Sequence, residues 1–221
     1  MPNHARLPLW DDKSDSQKLE ALHEMVLDLY RYQFADMLAD VRAMLLAHQP
    51  EDDREHTDVE TILRLMDEQP NIMNMNCEVG HFTASAVIVD ITSNRTLLHF
   101  HKKLKHWYQV GGHADYETDM AQAALREAQE ETGLPDLAYY PLAPKTVPID
   151  IDVHTFPQRG DYPEHLHLDF RYVLTTSQPD ALAPEDGESE QFKWLPFDDA
   201  IELVTDVPLK RLLRKTKRLF E

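Results

Sequence analysis

The chain has 221 residues, 42% of them hydrophobic, and a formal net charge of −18. That length suits one ordinary domain plus an extension, and the acidity argues against non-specific nucleic-acid binding and against attachment to anionic membranes, both of which need a basic surface. Cys77 is the one cysteine, so no intrachain disulfide is expected, which fits a reducing cytoplasm; the N-terminal stretch has no signal-peptide core, and no apolar run approaches a membrane span.

Residues 1–13 read as an irregular arm. Ser14 and Gln17 have capping-box spacing, and a helical pattern covers about 16–48. Leu19, Leu22, Val26 and Leu29 form one stripe. Tyr30, Phe34, Met37, Val41 and Met44 continue it one residue out of phase, which predicts a bend or two helices. Pro50 to Asp53 break the pattern. Thr57 and Glu60 suggest a second capping box before a short amphipathic helix carrying Val59, Ile62, Leu63 and Met66, ended by Pro70. Residues 1–70 are therefore expected as a helical extension that packs on the main domain, covers its site or makes a homodimer. Residues 71–77 read as a linker.

From Val79 the pattern changes. His81 to Val89 is a strand-like run, Asp90 to Asn94 holds a turn, and Thr96 to Phe100 is a second strand. Lys102, Lys103 and Lys105 follow; three lysines in an acidic chain either grip a substrate phosphate or line a solvated hairpin. Trp107 to Val110 then lead into the pair Gly111-Gly112, a signal of a tight turn or close backbone approach. His113 follows and could face a site there. Residues 121–131 are nearly all good helix formers, with Gly133 where the helix should stop and Pro135 beyond.

On that helix Glu127, Glu130 and Glu131 stand three and four apart, so all three carboxylates share one face. Three like charges repel, and a hard divalent cation such as Mg²⁺ or Mn²⁺ reverses the sign of that interaction. A solvated acidic face is the commoner origin of such a cluster. The wider pattern decides for the metal reading. Gly112, Arg126, Glu127, Ala128, Glu130, Glu131, Gly133 and Leu134 fall on the Nudix hydrolase signature G-x5-E-x7-R-E-U-x-E-E-x-G-U, where U is apolar. The chain departs from it once: Thr118 occupies the first Glu position.

The stretch from Val79 to Val204 thus resembles a Nudix hydrolase. The resemblance implies an α+β fold, a mixed β-sheet sandwiched between helices, over 79–221 with its basic C-terminal helix. It implies a metal held by Glu127, Glu130 and Glu131 and completed by a carbonyl of Gly111 or Gly112, with Glu127 as base, Glu130 beside it and Arg126 orienting a carboxylate. It also implies a substrate in which a nucleoside diphosphate is linked to another group.

After the helix, residues 144–156 and Leu166 to Thr176 read as strands. His165, His167 and Asp169 have period two, as do Asp152 and His154, so each set lies on one strand face. Together they suggest a second metal site or a wall contacting phosphate. The segment is similar to that of a little-characterised bacterial Nudix subgroup. Residues 178–190 form an acidic loop, from which the resemblance implies one more carboxylate ligand, Glu190 in preference to Glu188. Phe192 to Trp194 is a strand. Pro208 to Phe220 is a basic helix, read as a solvated face paired with the acidic body.

Two other functions fit the same residues. Thr118 points to a catalytically weak protein that binds a nucleotide or metabolite. An isomerase of the isopentenyl diphosphate type shares the fold but needs a cysteine at its site, and Cys77 precedes the first strand.

Overall fold

In a computed structural model of the chain, the described residues are 13–221 except 103, 104, 116, 118, 142–145, 159, 161, 162, 186 and 190. The run of small, β-branched and aromatic residues at Gly80–Asp90 becomes β1, buried at every position. Burial on both faces explains why its sequence shows no clean alternation. The other strands are β2 (Arg95–His101), β3 (His106–Tyr108), β4 (Val110–His113), β5 (Ala138–Tyr139), β6 (Asp150–Phe156), β7 (His165–Thr176) and β8 (Phe192–Pro196). They form one mixed sheet. β1 pairs in parallel with β7 along its length, and antiparallel with β4 at one end and β2 at the other. β6 and β5 flank β7, while β3 and β8 flank β2.

The helices are α1 (Asp15–Gln33), α2 (Ala35–Ala47), α3 (Asp53–Glu68), α4 (Met120–Thr132), α5 (Phe197–Leu203) and α6 (Val207–Leu219). Phe82, Ala84, Ala86 and Ile88 of β1 face a core built with α2, α3 and α4. Val87 and Val89 face a second core built with α5 and α6. The sheet is therefore sandwiched between helices, as the resemblance implied.

The phase shift in the first helical pattern resolves as two helices, separated at Phe34. Ser14 caps the first of them, accepting from the Gln17 N–H while the Gln17 side chain accepts from the Ser14 N–H. The apolar stripe Leu19, Leu22, Met25, Val26 and Leu29 of α1 is exposed. In contrast, Met37, Val41 and Leu45 of α2 and Val59, Ile62 and Leu65 of α3 share one core with the sheet.

Three local expectations are corrected. The cap of α3 is Asp52, accepting from the Glu55 N–H, and not Thr57, whose hydroxyl donates back to the Asp53 carbonyl inside the helix. The stretch 71–77 is no exposed linker, because Ile72, Met73 and Cys77 are buried. The basic C-terminal helix is not solvated throughout. Arg211 and Thr216 are buried, and the Lys215 side chain is only 10% exposed. Arg211 donates to Asp150 and to the Ile151 carbonyl, and Lys215 to Glu55 and the Ile149 carbonyl. These bonds bolt α6 to β6 and to the first turn of α3.

Candidate active site

The glycine pair occupies β4, where backbone must approach two neighbours. A Cβ on Gly111 would lie 2.4 Å from that of Ser85, and one on Gly112 would lie 2.3 Å from Glu127 Oε2. Only glycine allows β4 to press against both β1 and α4. The helix itself starts at the Asp119 cap and stops at Gly133, whose left-handed conformation (φ 66°) closes its last turn. The acidic loop then folds back on that end, with the N–H groups of Ala183 and Glu185 donating to the carbonyls of Thr132 and Glu130.

This packing gathers the three glutamates beneath the glycine pair. Arg126 donates to Glu127 Oε1 at 2.7 Å and to Glu130 Oε2 at 3.1 Å, and anchors itself on the His113 carbonyl at 2.8 Å. Glu131 accepts from the Gly111 N–H at 2.8 Å. Burial raises the Glu127 carboxyl to about 7, against the pull of Arg126. Burial raises Glu131 to about 8, helped by the charges of Glu188, Glu127 and Glu130. The glutamates therefore strain to hold their negative charge, the condition a cation would relieve.

Glu190, Lys103 and Thr118 lie outside the described residues. Glu188 is the loop carboxylate whose charge reaches Glu131. Lys102 donates to the Gly187 carbonyl and so ties the β2 end to the acidic loop. The sequence reading passed over His99 of β2, which is buried with Nδ1 3.7 Å from Glu131 Oε1. Its signal was a lone imidazole inside an apolar strand.

A polar wall runs along the sheet face on which Val87 and Val89 also lie. Register sets it out in rungs: His81 beside His167 and His154, then Thr83 beside Asp169 and Asp152, then Ser85 beside Arg171 and Asp150. His113 joins through β4, opposite Thr83. Asp152 and Asp169 do not join the histidines as ligands. Arg171, buried, donates to Asp169 at 2.9 Å and to Asp152 at 2.7 Å, and Thr83 and Ser85 donate to Asp169 as well. In their place stands His81, whose ring centroid lies 4.9–5.1 Å from those of His113, His165 and His167. Burial lowers His81 to about 4, with His113 and His165 adding to the shift. Burial also lowers His167, to about 2.

A family model of the NUDIX domain matches residues 81–216. A NUDIX-family hydrolase from Clostridium perfringens is 28% identical, with a TM-score of 0.52 over 64% of this chain and 98% of that one. An Ap4A hydrolase from C. elegans is 22% identical (TM-score 0.47; 62% and 97% covered). The NUDIX domain of Shewanella oneidensis NrtR, complexed with ADP ribose, is 17% identical (TM-score 0.42; 63% and 88% covered). No curated protein matches the chain in sequence. The family match takes in more than half of the chain and the whole of the glycine turn and helix α4, so the chain belongs to the NUDIX domain family and is an enzyme of the Nudix pyrophosphohydrolase type.

Proposed function

We propose that the enzyme cleaves a diphosphate bond in a nucleoside diphosphate linked to another group, using Mg²⁺ or Mn²⁺ held by Glu127, Glu130 and Glu131. One observation carries this reading: the three carboxylates converge under the Gly111-Gly112 pair of β4, two of them with raised pKa values. Oxygen donors of that kind suit hard divalent ions, so the residues present fit the metal. When bound, such an ion neutralises phosphate oxygens and acidifies the attacking water. The chain's own groups do the rest. Arg126 fixes the orientation of Glu127 and Glu130. The Gly111 N–H fixes Glu131. Glu127 accepts the proton of the attacking water, poised near neutrality by its burial. His113 and His154 face the substrate from the wall, and Lys102 stands at the loop beside it.

The test is phosphate release from a panel of nucleotide sugars, dinucleotides and nucleoside triphosphates with and without Mg²⁺ or Mn²⁺. Turnover that EDTA abolishes is expected. Saturable binding without turnover on any substrate would instead establish the weak nucleotide-binding alternative. The isomerase alternative lacks its cysteine, since Cys77 is buried before β1.

We also propose a homodimer paired through the N-terminal helices, supported by the exposed stripe of α1. Size exclusion of the full chain beside Leu22→Asp should show a dimer that becomes a monomer; a monomeric parent chain would refute it. A cytoplasmic site of action agrees with the single, buried thiol and with the finding that no described helix is long and apolar enough to cross a membrane.

A further inference from the structure

The histidine rung of the wall gathers buried polar atoms that have no hydrogen-bond partners. Neither ring nitrogen of His81 has a hydrogen-bond partner, nor has His167 Nε2, and His81 is 2% exposed. An unpartnered buried imidazole is costly, and here two lie side by side with a third. The ligand atoms of His81, His165 and His167 all fall within 4.8 Å of one another. β1 supplies His81 and the adjacent parallel strand β7 supplies the other two, so a rigid sheet, not a loop, sets their spacing.

We infer that His81, His165 and His167 form a second metal site, specific for a late first-row transition ion of the Zn²⁺ class. Imidazole nitrogen suits zinc, nickel, copper and iron, whereas the carboxylates of α4 suit magnesium and manganese. His165 carries a further mark of a ligand. Its Nδ1 lies 2.8 Å from the Pro163 carbonyl. That bond puts the proton on Nδ1 and leaves Nε2 as the free donor atom. Metal–nitrogen bonds of about 2.0 Å in a tetrahedral site need nitrogens about 3.4 Å apart, a closure that small side-chain rotations supply. Three protein nitrogens leave a fourth position open. His113 borders the cluster, 5.0 Å from His81 between ring centroids, and its carbonyl holds Arg126. β4 therefore borders both sites. The inference stands apart from the carboxylate reading, and either can fail alone.

The test uses the untagged full chain, stripped with EDTA and held in excess Mg²⁺ to saturate the carboxylates. Co²⁺ is titrated in and followed by visible absorption. One equivalent should bind with the intense bands of a tetrahedral nitrogen site, and one equivalent of Zn²⁺ should bleach them. His165→Gln and His167→Gln should each weaken binding tenfold or more, and Glu130→Gln should bind like the parent. His167 is half-buried with its Nε2 enclosed, so its variant is checked by circular dichroism; His165, at the strand end, decides the case if that variant misfolds. No stoichiometric signal in the parent chain, a signal that survives His165→Gln, or one that disappears in Glu130→Gln would overturn the site.

Discussion

Two regions of this protein crowd carboxylates into partial burial, and they resolve the crowding in opposite ways. At the α4 site, one guanidinium, Arg126, is shared by Glu127 and Glu130, and Glu131 has only a backbone N–H and a neutral imidazole at hand. At the junction of α3, β6, β7 and α6, the cations Arg171, Arg211 and Lys215 interleave with Glu55, Asp150, Asp152 and Asp169. Burial would raise Glu55, but hydrogen bonds from His48, the Glu51 N–H and Lys215 bring it down to about 2. Asp152 is likewise held well below the usual range, because Arg171, His154 and Arg54 together outweigh its burial. Raised carboxylates mark a cluster left short of positive charge, and lowered ones mark a cluster already satisfied. The first can take a cation as cofactor; the second already holds its cations covalently, on the chain.

The sharpest way to break this contrast is Arg171→Met. It leaves Asp152 and Asp169 buried without their cation, and breaking a buried pair from one side costs about 3–5 kcal/mol. Urea denaturation should show that loss; a change under 1 kcal/mol would mean the network is not the staple described. Glu130→Gln should do the reverse. Turnover should fall about a hundredfold or more, which is about 2.7 kcal/mol in the barrier, with the urea midpoint unchanged. An active Glu130→Gln enzyme would end the carboxylate assignment.

The third measurement is stability against pH in EDTA. Glu131 and Glu127 have folded pKa values of about 8 and 7, above the ordinary 4.5. Their ionisation therefore destabilises the fold, and the melting temperature should rise as pH falls from about 9 toward 6.5. Glu55 has the opposite sign: its contribution is full above pH 4.5 and is lost as pH falls toward about 2. His81, His99 and His167, whose pKa values burial lowers from 6.5, cost stability as pH falls below 6.5; a maximum near pH 6.5 is expected, and Mg²⁺ should flatten the alkaline limb by replacing protons with an ion. A profile that Mg²⁺ does not touch would count against metal at the glutamates. The smallest effect belongs to Asp58, at the edge of the network. Burial and the Asp152 charge raise it to about 6, and its Oδ2 has no hydrogen-bond partner. Asp58→Asn should stabilise by about 1 kcal/mol above pH 6, with the gain gone below pH 4; destabilisation at pH 8 would show that Arg54 already satisfies the carboxylate.

How much of this the residues announce depends on the distance over which each pattern acts. The caps at Ser14 and Gly133 act within one helical turn and are readable as written. The Thr57 box misled because Asp52, Asp53 and Glu55 offered a competing start whose cap lies five residues earlier, and the polar first turn gave no period by which to choose. The wall was half readable. Period two placed His165, His167 and Asp169 on one face, but only the pairing of β1 with β7 could bring in His81, 84 residues away from His165, and only that of β6 with β7 could hand Asp152 to Arg171. Lys210 to Arg218 looked like a solvated basic face because nothing in the helix itself says that Asp150 and Glu55 will meet Arg211 and Lys215.

The sequence alone determined the carboxylate helix, its glycine stop, and the family they belong to, because a turn of 3.6 residues converts spacing directly into a shared face. Tertiary structure alone decided which charges are neutralised and which are left in want of an ion. That outcome rests on strand register and helix packing between residues as far apart as Glu55 and Lys215, 160 positions along the chain, and no local spacing encodes such a meeting.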